Sequence, residues 1–180
     1  MTFEFIADRP ALDFVATVAE RGTTDAEALH SPQDLAAWLR ESGVLDLTGS
    51  LTDEDLARAK AAREAMFALI AALIDDQPPP GAARRLVNQL ATAPAPRIAL
   101  GTQGRVTRTG GLDAALAVLA SDVIELHDGP DRELLHWCAD PLCTRPFIDR
   151  SRGGRRRWCG MRGCGDRAKA AAYRRRRATV

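Results

Sequence analysis

A chain of 180 residues with 46% hydrophobic and 27% charged positions is balanced for a folded globular protein, and its low aromatic content beside abundant Ala and Leu favours helices over sheets. The longest apolar run, Ala65 to Ile74, is too short to cross a bilayer, and the opening MTFEFIADRP lacks the basic-then-apolar pattern of a secretory signal, so no membrane partner is expected and the expected address is the cytoplasm. The formal net charge of +1 conceals a division: residues 131–180 hold 14 Lys/Arg against 5 Asp/Glu, and residues 1–130 hold 11 against 19. A neutral protein has no reason to seek a polyanion, whereas so basic a terminal segment does.

In chain order, Pro10 to Glu20 sets Leu12, Val15, Val18 and Ala19 at helical spacing. Residues 31–42 predict a helix capped by Ser31, opened by Pro32 and closed by Gly43, with Leu35, Trp38 and Leu39 on its apolar face. A longer helix is expected from Thr52, a second cap, to about Asp75, ending at Pro78-Pro79-Pro80-Gly81. A short helix around Leu86 and Leu90 follows, stopping before Pro94. Residues 97–108 read as two short strands about Gly101 to Gly104, and a last helix runs from about Leu112 to His127. Asp13, His30 and His127 lie near apolar stretches but form no triad or carboxylate pair, and Gly101 and Gly104 suit a turn better than a phosphate loop. Nothing here supports catalysis, and the protein is expected not to be an enzyme.

All four cysteines fall in the basic segment: Cys138, Cys143, Cys159 and Cys164, spaced C-x4-C, fifteen residues, C-x4-C. Two close pairs separated by a hairpin's length suit a four-thiolate zinc site, each pair turning two sulfurs toward one point. The intervening chain is expected to run out as a strand at Pro146–Asp149, turn at Ser151–Gly154 and return as a strand at Arg155–Trp158. A disulfide, a redox dithiol and inert thiols are the alternatives; a cytoplasmic setting disfavours the first, and the four-residue spacing disfavours the second. His136 is a competing ligand by position. From Cys138 to Cys164 the large apolar side chains are Leu142, Phe147, Ile148, Trp158 and Met161. At roughly 1.5–3 kcal/mol each, they do not offset the ordering of this segment. One structural Zn2+, contributing on the order of 10 kcal/mol, does.

Beyond Cys164, Asp166 is a cap for an Ala-rich helix that ends in Arg174, Arg175, Arg176 and Arg177. Cations at a helix C-terminus suit its dipole, but that accounts for one or two of them. The remaining charge, with Arg155, Arg156 and Arg157 on the return strand and Arg167 and Lys169 on the helix, points to phosphate binding; an acidic protein is the alternative partner.

The stretch WCADPLCTRPFIDRSRGGRRRWCGMRGCGDRAKAAAYRRR resembles the CGNR zinc-finger family of bacterial proteins, through its C-x4-C, its F-x-D-x-S-R at Phe147, Asp149, Ser151 and Arg152, its R-R-W-C at Arg156–Cys159, and its C-G-[N]-R-A-K at Cys164–Lys169. Asp166 stands where that signature has Asn. Upstream, ALDFVATV and SPQDLAAWLRESGVL are similar to elements of the ABATE domain that accompanies this finger, with Ala16 in place of Asn. The resemblance implies a stress-induced transcription regulator with a zinc-stabilised DNA-binding tail.

The expected fold is mainly α: a helical ABATE-like domain over residues 1–130 with a short β-hairpin, and a small treble-clef-like zinc finger (knuckle, β-hairpin, helix) over 131–180. The expected partner is nucleic acid, DNA before RNA. A homodimer and a small-molecule effector bound within residues 1–130 are compatible with the helical part.

Overall fold

The computed structural model describes residues 3–178; the outermost residues of the expected units, 1–2 and 179–180, lie outside the described residues. Local chemistry sets the helix starts. Helix α1 (Pro10–Val15) begins on proline. Helices α2 (Pro32–Glu41) and α3 (Asp53–Ile74) each open with a reciprocal capping box, Ser31 with Asp34 and Thr52 with Asp55. Helix α4 (Gly81–Leu90) follows the proline triplet, and α5 (Leu112–Asp128) follows the expected hairpin. Helix α1 is shorter than the apolar spacing predicts. The Thr17 hydroxyl donates to the Phe14 carbonyl at 2.7 Å, an alternative to continued helix. Val18 and Ala19 then leave as strand β1 (Val18–Ala19), antiparallel to β2 (Ala26–Glu27).

The expected hairpin is β4 (Arg97–Leu100) with β5 (Val106–Gly110). Strand β3 (Asp46–Leu47), which the sequence did not suggest, joins β5 in parallel to give the order β3-β5-β4. Helices α3, α4 and α5 pack together, and α1 lies against α3 and α5. Phe14, Trp38, Met66, Ile70, Leu116, Leu119 and Leu126 are fully buried, the Phe14 and Trp38 rings 5.0 Å apart. One buried cation crosses this core. Arg63 in α3 donates through both terminal nitrogens to Glu27 of β2, each at 2.8 Å, and to the Thr17 hydroxyl at 3.0 Å.

The remaining chain holds β6 (Leu135–Trp137), β7 (Pro146–Ile148) and α6 (Asp166–Ala178). Strand β7 pairs with β6, with Leu135 opposite Ile148 and Trp137 opposite Pro146. The hairpin therefore encloses the first cysteine pair, and residues 155–158 are not a strand as the sequence reading had them. The cause is local: Asp149 accepts from the amides of Ser151 and Arg156, and the Ser151 hydroxyl accepts from the amides of Arg155 and Arg156. These bonds take up the donors a ladder needs. Phe147 and Ile148 are fully buried, and they belong to the same core as Phe14 and Trp38. The large apolar side chains of the cysteine segment thus split: Phe147 and Ile148 pack against the helical part, while Leu142 and Met161 remain exposed.

Candidate metal centre and the arginines around it

Strand β6 leads into Cys138, and Cys143 stands just ahead of β7, so the hairpin presents one pair. Cys159 and Cys164 flank the turn into α6. Gly163 takes φ +84° there, in the left-handed region that a side chain disfavours, and so lets the second pair face inward. The four Sγ atoms all lie within 4.8 Å of one another, with Cys143 and Cys164 each 3.7 Å from Cys159. A tetrahedral zinc–sulfur distance of about 2.3 Å implies sulfurs about 3.8 Å apart, which these separations meet. Cys138, Cys159 and Cys164 are buried. The Cys159 amide donates to the Cys138 sulfur at 3.4 Å. His136 is exposed and outside the cluster.

Without a cation these thiols oppose one another. Cys138 is held strongly down by hydrogen bonding from Cys143 and Cys159. The sulfur of Cys138 pushes Cys143 and Cys159 up, and burial pushes Cys164 up to about 12. A dication at the centre would let all four ionise together. The cluster is consistent with one structural Zn2+. Four sulfur donors close the coordination sphere, so the ion would supply folding energy rather than an activated water.

The expected phosphate-binding arginines divide into two groups. Arg156 turns inward: it donates to the carbonyls of Ile6 at 2.7 Å, Trp158 at 3.0 Å and Cys159, and lies 4.6 Å over the Phe147 ring. Arg167 donates to Asp140 at 2.8 Å and to the Cys164 sulfur at 3.1 Å, tying α6 to the first cysteine turn. Both brace the frame, although Arg167 is exposed as well. Arg155, Arg157, Lys169 and Arg174 to Arg177 are exposed. Arg157 lies 5.3 Å over Trp158, Arg177 5.8 Å over Tyr173, and Lys169 lies 3.8 Å from Asp166. Asp166 begins α6, where a negative charge suits the helix dipole.

Sequence reasoning missed the residues that join the two parts. The Ile148 amide donates to Ala7, the Arg21 amide to the Thr144 hydroxyl, and the Trp137 indole to Asp75 at 3.0 Å. Arg145 pairs with Glu4, and Asp131 accepts from both Arg9 and Arg150. None of these joints has a local signal in the sequence. They link residues far apart in the chain.

Residues 8–130 match the ABATE family, described as "Putative stress-induced transcription regulator", and residues 135–177 match the CGNR zinc finger. Neither description is that of an enzyme. No curated protein matches the chain.

Proposed function

Because the chain belongs to the ABATE family and carries a CGNR zinc finger, we propose that it is a transcription regulator that grips DNA phosphates through its C-terminal module. In this reading residues 131–180 form the zinc-finger unit, packed onto residues 1–130 through a shared core, and Cys138, Cys143, Cys159 and Cys164 hold one zinc. Arg155, Arg157, Lys169 and Arg174 to Arg177 meet the phosphates, while Arg156 and Arg167 keep the surface in place. The reading rests on one observation: α6 is anchored at its start by Cys164 and by the Arg167–Asp140 pair, and it ends in four exposed arginines. A rigid helix presents those charges as a surface; a loose tail does not. Phosphate contacts position a protein without reading bases, so the target sequence depends on other groups.

Among the described residues no helix is long and apolar enough to cross a membrane. A cytoplasmic address completes the reading. RNA is the second reading, with the same surface and the same salt dependence. Titrating the zinc-loaded chain with duplex DNA and with structured RNA at matched salt tests both. About five neutralised phosphates predict a slope of log affinity on log salt near −4.5 for the DNA. An affinity indifferent to salt overturns the proposal, and tighter binding of the RNA replaces DNA with RNA.

A further inference from the structure

A cavity of about 720 Å³ opens between the N-terminal arm, the end of α1 and the second cysteine turn. Its size falls within the range of small-molecule sites, roughly 300–1,000 Å³. Its walls come from both parts of the chain. Phe5, Asp13 and Trp38 belong to the helical part, while Met161 and Arg162 lie between Cys159 and Cys164. An occupant would therefore touch the turn that carries half of the thiol cluster.

The charges around the cavity select its chemistry. Two of its three carboxylates are already matched: Glu4 pairs with Arg145, and Glu27 pairs with Arg63 at 2.8 Å and Lys60 at 3.5 Å. Asp13 is different. It is 8% exposed, and its Oδ1 accepts from the amides of Ile6 and Ala7 at 2.9 and 3.0 Å. Its Oδ2 accepts no hydrogen bond and the carboxylate forms no ion pair among the described residues, Arg145 acting on it only through its field. A buried carboxylate ordinarily has a cation beside it. Burial pushes the Asp13 pKa up to about 6, against the pull of its two backbone bonds. The neighbouring wall is aromatic: the exposed Phe5 ring lines the cavity, backed at 6.1 Å by the buried Trp38. Ring faces attract an ammonium group, and apolar walls shelter whatever it is attached to.

We propose that this cavity binds a small organic cation, an ammonium group on an apolar body, with Asp13 Oδ2 receiving the ammonium and Phe5 and Met161 covering the body. Bound there, it braces the Cys159–Cys164 turn. An organic anion would meet Asp13 at depth; of the two lining cations Arg145 is already paired with Glu4, which leaves the exposed Arg162 at the mouth. In this proposal the effector site expected within residues 1–130 extends to the cysteine turn.

The test uses the zinc-loaded full chain, titrated calorimetrically with phenethylamine and separately with phenylacetate, which shares the ring and reverses the charge. Saturable binding of the amine is expected, with the acid weaker by about tenfold or more. Asp13→Asn keeps an oxygen for the Ile6 and Ala7 amides while removing the charge, and should weaken the amine by about tenfold. Phe5→Ala, at a half-exposed ring, should weaken it several-fold with all charges intact. Zinc capture by a chelator should slow when the amine saturates. No saturable amine binding, equal binding of the acid, or unchanged binding by both variants overturns the site. An unchanged capture rate with amine bound overturns the brace.

Discussion

The guanidinium of Arg156 donates to the carbonyl oxygen of Ile6 at 2.7 Å, across 150 positions of chain. The same group also serves the carbonyls of Trp158 and Cys159. An arginine within a run of three is thus a strut rather than part of the basic surface. Arg156→Ala should lower unfolding free energy by about 2–4 kcal/mol, because carbonyls in a tight joint lose a charged donor. On the proposed function, the salt slope of DNA binding should stay as it is. Denaturant melts and salt-titrated anisotropy measure the two quantities; full stability with a slope smaller by about 0.9 would return Arg156 to the phosphate surface.

Metal removal should be felt beyond residues 131–180. Cys138, Cys159, Cys164, Phe147 and Ile148 share one core with Leu12 and Phe14. Structural zinc contributes on the order of 10 kcal/mol or more to folding, and its loss would free both turns and uncover that shared face. A chelator, or Cys159→Ser without one, should lower the melting temperature of the whole chain and shift the emission of Trp137 and Trp158. Identical melting of the metal-free and zinc-loaded protein would contradict this.

The arginine tail should act on affinity and leave the fold alone. Arg174→Ala, Arg176→Ala and Arg177→Ala together remove exposed side chains at the end of α6. The salt slope should flatten by up to about 2.7, at about 0.9 per phosphate. Stability should change by no more than about 0.5 kcal/mol per site. Anisotropy across a salt series, with a thermal melt alongside, checks both.

Asp13 carries a pH signature. Its folded pKa is raised from 3.8 to about 6, chiefly by burial. The unfolded chain therefore ionises first, so the stability tied to the neutral carboxyl is complete below about pH 4 and lost as pH rises through about 6. The gap corresponds to about 3 kcal/mol. Asp13→Asn should match the parent near pH 4 and exceed it at neutral pH by an amount of this order. Urea melts at the two pH values give the comparison, and an Asn variant that is less stable at both would refute it.

Glu27 runs the other way. Burial alone would raise its pKa, but Arg63 prevails and holds it down to about 2 from 4.5. Its contribution is present above about pH 4.5 and fades as pH falls through about 2. Arg63→Met leaves that carboxylate with only Lys60 close by, and should destabilise the protein by about 3–5 kcal/mol at neutral pH, with a smaller loss in acid. Equal losses at neutral and acid pH would assign the effect to packing instead.

What could be read from the sequence was local. Ser31 and Thr52 cap α2 and α3 as expected, each in a box with the Asp three residues on. The cysteine spacing is equally local, and the four sulfurs converge. Strand β3 is two residues long and is defined only by its pairing with β5, so no periodicity marks it. Arg156 and Arg157 are adjacent and chemically identical, yet one is drawn inward and the other exposed. What separates them is the Ile6 carbonyl, which no local pattern brings near. The cavity escaped notice for the same reason, since its walls meet only after the arm and the cysteine turn are docked.

The bond from the Ile148 amide to the Ala7 carbonyl has a consequence for recombination. A finger of this kind is not a cassette. Excised on its own, it would carry a bare Phe147–Ile148 patch and an Arg156 with fewer acceptors. A graft onto a foreign host would need to bring along a counterpart of the amino-terminal arm, so exchange between such regulators is constrained by a few residues at the far end of the chain.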